Sequence, residues 1–171
     1  MKDPVMDNSD KVPSMQSNSD AELPAGAGST DLRLWVRLLA CAKMGEKFLR
    51  RKFEDDFNTT LPRFDVLAAL YAAPEGLRMS ELSKALLVSN GNVTVVVRQL
   101  QERGHVAYKV NPSDRRSAIV SLTPSGKARF LELADAHYAW IADLLDGVPD
   151  EQKTLLVAAL GNLRATISGN H

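Results

Sequence analysis

The sequence predicts a mainly α-helical chain with one small β-hairpin, which follows two short helices joined by a tight turn and is flanked by longer amphipathic helices. Three observations predict it. From Thr30 onward, apolar residues recur at the three-to-four spacing of a helix over most of the chain. Two runs, Val106, Tyr108, Val110 and Ala118, Val120, Leu122, alternate with the period of a strand around the polar segment Asn111-Pro112-Ser113-Asp114-Arg115-Arg116. Between these stretches, Pro62, Ala72 to Gly76, Val88 to Asn92, Gly104, Thr123-Pro124 and Pro149 supply the stop and start signals of separate elements.

With 171 residues, 44% of them hydrophobic and 25% charged, the chain has the composition of one globular domain. Its longest apolar runs, such as Leu155 to Leu160, are far shorter than a membrane span, and no basic stretch leads into an apolar one at the N-terminus. A cytoplasmic protein is expected. The single Cys41 cannot pair within the chain, and His105, His137 and His171 lie too far apart in sequence for a zinc motif, so neither a metal nor a cofactor is expected. The formal net charge is +0, but it is unevenly distributed. The first thirty residues are acidic, whereas Arg78 to Arg116 carries Arg78, Lys84, Arg98, Arg103, Lys109, Arg115 and Arg116 against Glu81, Glu102 and Asp114.

Residues 1–29, rich in Ser, Asp, Asn, Pro and Gly, read as a flexible acidic tail, because they hold too little apolar surface to offset the entropy of ordering. Residues 30–60 follow with a helix starting at Thr30 or Asp31 and carrying Leu34/Trp35, Leu38, Cys41/Ala42, Phe48/Leu49, Phe53 and Phe57 on one stripe. At roughly 40 Å for about 27 residues, it is longer than a small core needs, which suggests an intersubunit role. Pro62 opens a second helix through Phe64, Leu67, Ala68 and Tyr71; a short third helix from about Met79 turns Leu82, Ala85 and Leu86 inward.

Val93-Thr94-Val95-Val96-Val97 reads by propensity as a strand. Its spacing favours a helix instead, because Val93, Val96/Val97 and Leu100 form one stripe, Ser89 fits the N-cap and Gly104 the C-terminal cap. A helix from Asn90 to Arg103 is therefore expected, then the hairpin, then a long helix from Pro124 through Phe130, Leu133, His137, Tyr138, Ile141 and Leu144, and a last one after Pro149 through Leu155, Leu156, Ala159 and Leu163.

That order reads as a winged helix-turn-helix over 61–123 between flanking helices over 30–60 and 124–171, and its physical sense is groove recognition. The expected DNA contacts are Ser89, Asn90, Gly91, Asn92, Thr94, Val95 and Arg98 at the start and on the solvent face of the recognition helix, with Asp114, Arg115 and Arg116 at the wing tip. Asn and Arg bond base edges bidentately, Thr reaches base or phosphate, and Val95 suits a thymine methyl. Gly91 admits a phosphate close to the backbone at a helix N-terminus. Arg115 and Arg116 suit a minor groove or phosphates, with Asp114 holding one of them.

Residues Leu61 to Lys127 resemble the MarR family of winged-helix regulators. The resemblance rests on Ser89-Asn90-Gly91-Asn92-Val93-Thr94, on Leu100 and Gly104 at the end of the recognition helix, on the wing Asn111 to Arg116 and on the exit Leu122-Thr123-Pro124-Ser125-Gly126. It implies a homodimer built from the first and last two helices, a pseudo-palindromic operator, repression, and a small ligand that releases the DNA. Asn111 stands where the family usually has Asp, and Val95 where many relatives are polar or basic. Leu32 to Leu39, followed by Leu61-Pro62-Arg63-Phe64-Asp65 and Ser89-Asn90-Gly91-Asn92, also resembles a subgroup controlling aromatic-acid catabolism, which implies an aryl- or hydroxycinnamoyl-coenzyme A thioester as effector, or a free aromatic acid. Trp35, Leu38, Leu39, Phe64 and Leu67 are the candidate apolar walls for such a ligand, and Arg33, Arg37 and Arg63 the candidate cations.

Plainer readings stand beside these. Arg98, Arg115 and Arg116 compete with the solvated arginine that is the surface default, and Asn90 and Asn92 with simple turn and cap roles. Trp35 suits a core or dimer interface, Cys41 an inert buried thiol, and His137 a packing position. An enzyme is not expected, since there is no nucleophile elbow, glycine-rich phosphate loop or His/Asp/Glu cluster. A winged-helix module for a protein or RNA partner is the alternative that the neutral net charge favours.

Overall fold

The computed structural model describes residues 29–111 and 114–169, with the side chains of 110–117 outside that description. The expected acidic tail thus lies outside the described residues up to 28. The chain divides after Cys41 into two units, and the first helix, α1 (Thr30–Phe57), contributes to both. After it come α2 (Leu61–Tyr71), a two-residue strand β1 (Leu77–Arg78), α3 (Met79–Leu86), α4 (Asn90–Glu102), β2 (Val106–Asn111), β3 (Asp114–Leu122), α5 (Pro124–Leu144) and α6 (Asp150–Gly169). The architecture is mostly helical with a small antiparallel sheet in the order β1-β3-β2.

The expected elements appear within a residue or two of their sequence signals. Pro62 sits in the first turn of α2 behind an extended Thr60. At α4 the Ser89 hydroxyl accepts from the Asn92 amide at 3.4 Å. Gly104 takes φ +74°, letting its own amide and that of His105 turn back to the carbonyls of Gln101 and Leu100 at 2.9 Å each. The run of valines is helical because Val93, Val97 and Leu100 fall on one face and are buried together. Each β-branched residue costs a helix only about 0.5 kcal/mol, against about 2 kcal/mol gained by burying one such side chain.

One element was not expected. Strand β1 pairs Leu77 with Val120 and Arg78 with Ile119, so the wing has a third strand. Two residues carry no readable alternation, and the pairing depends on a tertiary fit at Gly76. There φ is +86°, and a Cβ would lie 2.5 Å from both the Val120 carbonyl and Ile119 Cγ2.

The core of the second unit lies between α2, α4 and the inner face of the sheet, and Phe53 from the end of α1 and Leu133 and Trp140 from α5 close it. Aromatic rings fasten the long helices to it. Phe53 meets Phe64 at 4.8 Å and the edge of Trp140 at 5.0 Å, while His137 packs on Phe64 at 4.7 Å, the packing role its place in the sequence suggests. Burial in that stack lowers the His137 pKa.

A second seam ties the end of α4 to the start of α5. The Thr123 hydroxyl donates to the Gly104 carbonyl at 2.7 Å and accepts from the Gly126 amide at 3.0 Å. A Cβ on Gly126 would lie 1.8 Å from the His105 carbonyl oxygen, so only glycine fits in that first turn of α5. Cys41 differs from expectation: in the single chain its thiol is exposed rather than buried, because its stretch of α1 has no buried neighbour there.

Candidate nucleic-acid interface

Helix α4 separates its residues into two faces. Val93, Val97 and Leu100 anchor it in the core, while Asn90, Gly91, Asn92, Thr94, Val95 and Arg98 all face solvent with Ser89 just ahead of them. Helix α3, anchored by the fully buried Leu82, packs against both α2 and α4 and fixes the angle at which the recognition face is presented. The result is a rigid polar edge on a packed support, the arrangement that groove insertion requires.

Individual groups on that face differ in what they can offer. A Cβ built on Gly91 meets nothing within 4 Å, so the fold does not require glycine there, and the bare backbone is open to an approaching group. The Thr94 hydroxyl donates to the Asn90 carbonyl at 2.7 Å. In that rotamer it can accept but not donate, and a phosphate contact needs this bond exchanged. Val95 is 46% exposed, an apolar group on an otherwise polar face. Among the described residues Arg98 has no ion-pair partner.

Strands β2 and β3 form the expected hairpin with Tyr108 opposite Val120, but they run further than expected: Asn111 ends β2 opposite Asp114, and Asp114, Arg115 and Arg116 open β3 instead of lying in a connecting tip, because the strand pairing extends to the Asn111–Asp114 register. The side chains of Asp114, Arg115 and Arg116 lie outside the described ones.

The residues expected around an effector divide by unit. In the first unit, Arg33, Trp35, Arg37 and Leu39 are exposed and Leu38 is half-buried, Trp35 at 56% exposure. In the second, Phe64 and Leu67 are core side chains, Leu67 only 1% exposed. Arg63 donates from Nε to the Gln99 Oε1 at 3.1 Å. Partial burial and the nearby Arg103 lower its pKa, and the bond ties α2 to the last turn of α4.

An opening beside α4 in this unit leaves little mark in the sequence. A groove of about 490 Å³ runs between the second half of α1, the start of α2 and the start of α4, and Glu46, Arg50 and Asp65 line it with several valines. Burial, then repulsion from Glu46, raises the Asp65 carboxyl to about pKa 6, partly countered by Arg50. The available signal was an acidic residue between Phe64 and Val66 in the otherwise apolar run of α2.

Comparison with known proteins agrees with this geometry. The model of the MarR family matches residues 57–117. Over 120 residues the chain is 32% identical to the HTH-type transcriptional regulator YkoM of Bacillus subtilis, an alignment covering 69% of this chain and 75% of that protein. It is 36% identical over 97 residues to the transcriptional activatory protein BadR of Rhodopseudomonas palustris, across 56% of this chain and 55% of that one. A crystal structure of a MarR family transcriptional regulator from Silicibacter pomeroyi superposes with a TM-score of 0.69 at 32% identity, covering 80% of this chain and 94% of that one.

Proposed function

The chain belongs to the MarR family of winged helix-turn-helix transcriptional regulators, and on that premise we propose that it binds a pseudo-palindromic operator in double-stranded DNA as a homodimer and represses transcription until a small aromatic effector releases it. The division of α4 into an anchored apolar face and a free face bearing Asn90, Asn92 and Arg98 carries this reading. Asn92 and Arg98 read base edges, Gly91 and the amides of the first turn receive a phosphate, and Arg115 and Arg116 bind the flanking minor groove or phosphates.

The homodimer reading is supported by α6, a 20-residue helix with no buried residue in the single chain. Leu155, Leu156, Val157 and Leu160 are exposed along it, Val157 at 74%, and Trp35 and Met44 are exposed on α1. Large apolar side chains on this scale mark an interface. Residues 30–60 and 124–171 are then the dimerisation segments, and 61–123 is the DNA-binding one.

The effector is an aryl- or hydroxycinnamoyl-coenzyme A thioester, or the free aromatic acid, with Trp35, Leu38 and Leu39 against the ring and Arg33 and Arg37 toward the charged groups. Regulation is repression by occlusion of a promoter, although the similar BadR is named an activatory protein.

A mobility shift with DNA flanking the protein's own coding region, with and without a panel of aromatic acids and their thioesters, tests all of this. Salt-sensitive binding relieved by a thioester supports the full reading. Binding that no compound relieves removes the effector, and absence of binding at any salt concentration returns the protein or RNA partner that the net charge of +0 favours.

A further inference from the structure

The groove on the recognition side of the second unit is lined apolarly by Val66, Val93, Val95 and Val96, and its charged groups are unbalanced. Arg50 is the one cation in its lining and is engaged by Glu46 four residues back on α1. Asp65, half-buried on the α2 wall, has neither a hydrogen bond nor an ion pair among the described residues. Two carboxylates therefore share one guanidinium, and one of them, Asp65, is partly stripped of water without a bonded partner among the described residues. An anion entering this space would meet an uncompensated negative charge; a cation with an apolar body would meet a carboxylate acceptor at one wall and aliphatic contact at the others. The volume of about 490 Å³ lies within the range for small-molecule sites.

We propose that this groove binds an organic ammonium ion with an aromatic or other apolar body, whose nitrogen donates to Asp65, and that its occupancy competes with DNA. The competition half rests on the DNA-facing assignment of α4 made above: Asn92 and Val95 belong both to that face and to the groove wall. The groove lining includes none of the residues proposed for the anionic effector.

The test is calorimetric titration of the full-length protein, without DNA, by 1-naphthylmethylammonium and by 1-naphthoate as its anionic counterpart. The ammonium is expected to bind at least about tenfold more tightly than the carboxylate, and Asp65→Asn to weaken it by about tenfold, the loss of one charge-assisted hydrogen bond. Should Asp65→Asn fail to fold, Glu46→Gln at an exposed position carries the same test with a smaller loss, from the reduced negative field. Glu75→Gln, at an exposed carboxylate outside the groove lining, is expected to leave the ammonium affinity unchanged. Equal binding of the two probes, or undiminished affinity in both carboxylate variants, overturns the site.

Operator binding is then measured with and without the ammonium, using Asp65→Asn to report any effect of the probe on DNA itself. Ammonium binding that leaves operator affinity of the wild type unchanged overturns the competition. Failure to bind DNA at all refutes the regulator reading and leaves the calorimetric result to stand or fall by itself.

Discussion

Helices α4 and α6 are both rich in aliphatic residues, yet the chain treats them in opposite ways. Helix α4 buries Val93, Val97 and Leu100 within its own unit and exposes a polar face; α6, longer by about two turns, buries none of its residues and exposes Leu155, Leu156, Val157 and Leu160. The first has its apolar face completed by its own chain, and its polar groups face solvent. The second has its apolar surface still in water, where each such side chain forgoes about 2 kcal/mol. The same chemistry thus supports a fold in one helix and, on our reading, an assembly in the other.

Four experiments break or sharpen that contrast, the largest effect first. Leu100→Ala removes a core side chain of α4 and is expected to lower unfolding free energy by about 3 kcal/mol in urea denaturation, whatever the protein concentration. Leu156→Asp with Leu160→Asp on α6 is expected to raise the dimer dissociation constant by about a hundredfold or more, roughly 2.7 kcal/mol, in sedimentation equilibrium. Retention of a dimer by that double variant would place the interface elsewhere. On the exposed face of α4, Arg98→Ala is expected to lose about tenfold in operator affinity with a stability change below about 0.5 kcal/mol. An equal loss of stability would make Arg98 a structural residue.

The smallest effect belongs to Asp65, beside α4. Its carboxyl titrates near pKa 6 in the folded chain against an ordinary 3.8, raised by burial and by Glu46 and opposed by Arg50. Between those two values the folded state holds more protons than the unfolded one, so stability falls as pH rises from about 4 to about 6 and stays lowered above that. Because the group remains partly exposed, solvent screening reduces the effect to about 1 kcal/mol. Asp65→Asn is expected to remove this pH dependence and to be more stable than the wild type at pH 8, measured by urea unfolding at pH 5 and pH 8. A variant that gains stability while losing ammonium affinity would separate a functional carboxylate from a structural one.

Much of the recognition element was legible in the sequence because its determinants are local. Ser89 caps, Gly104 adopts φ +74° and Thr123 precedes a proline, and each acts over a few residues of its own chain segment. The valines of α4 needed one further step, in which spacing was weighed against propensity. What remained hidden depends on residues far apart in sequence. The pairing of Leu77 with Val120, the exclusion of a side chain from Gly126 by the His105 carbonyl and the meeting of Glu46 with Asp65 across two helices leave only weak local traces. Phe64 and Leu67, read as effector walls, show the same limit, because a sequence marks a side chain as apolar without telling which of two apolar surroundings receives it.

By itself the sequence determined the order and type of the main helices and the hairpin, the cap chemistry that bounds them, and the polar composition of the face that α4 turns outward. Hydrogen bonds to a neighbouring turn and the period of a helix act within a few residues, so their signals stay contiguous. Only the tertiary structure decided which apolar residues fill the core, that the sheet has a third strand, and that a half-buried carboxylate lines a groove beside α4. Those outcomes come from packing and desolvation among elements brought together from distant parts of the chain, and desolvation exists only once the surrounding surfaces have closed.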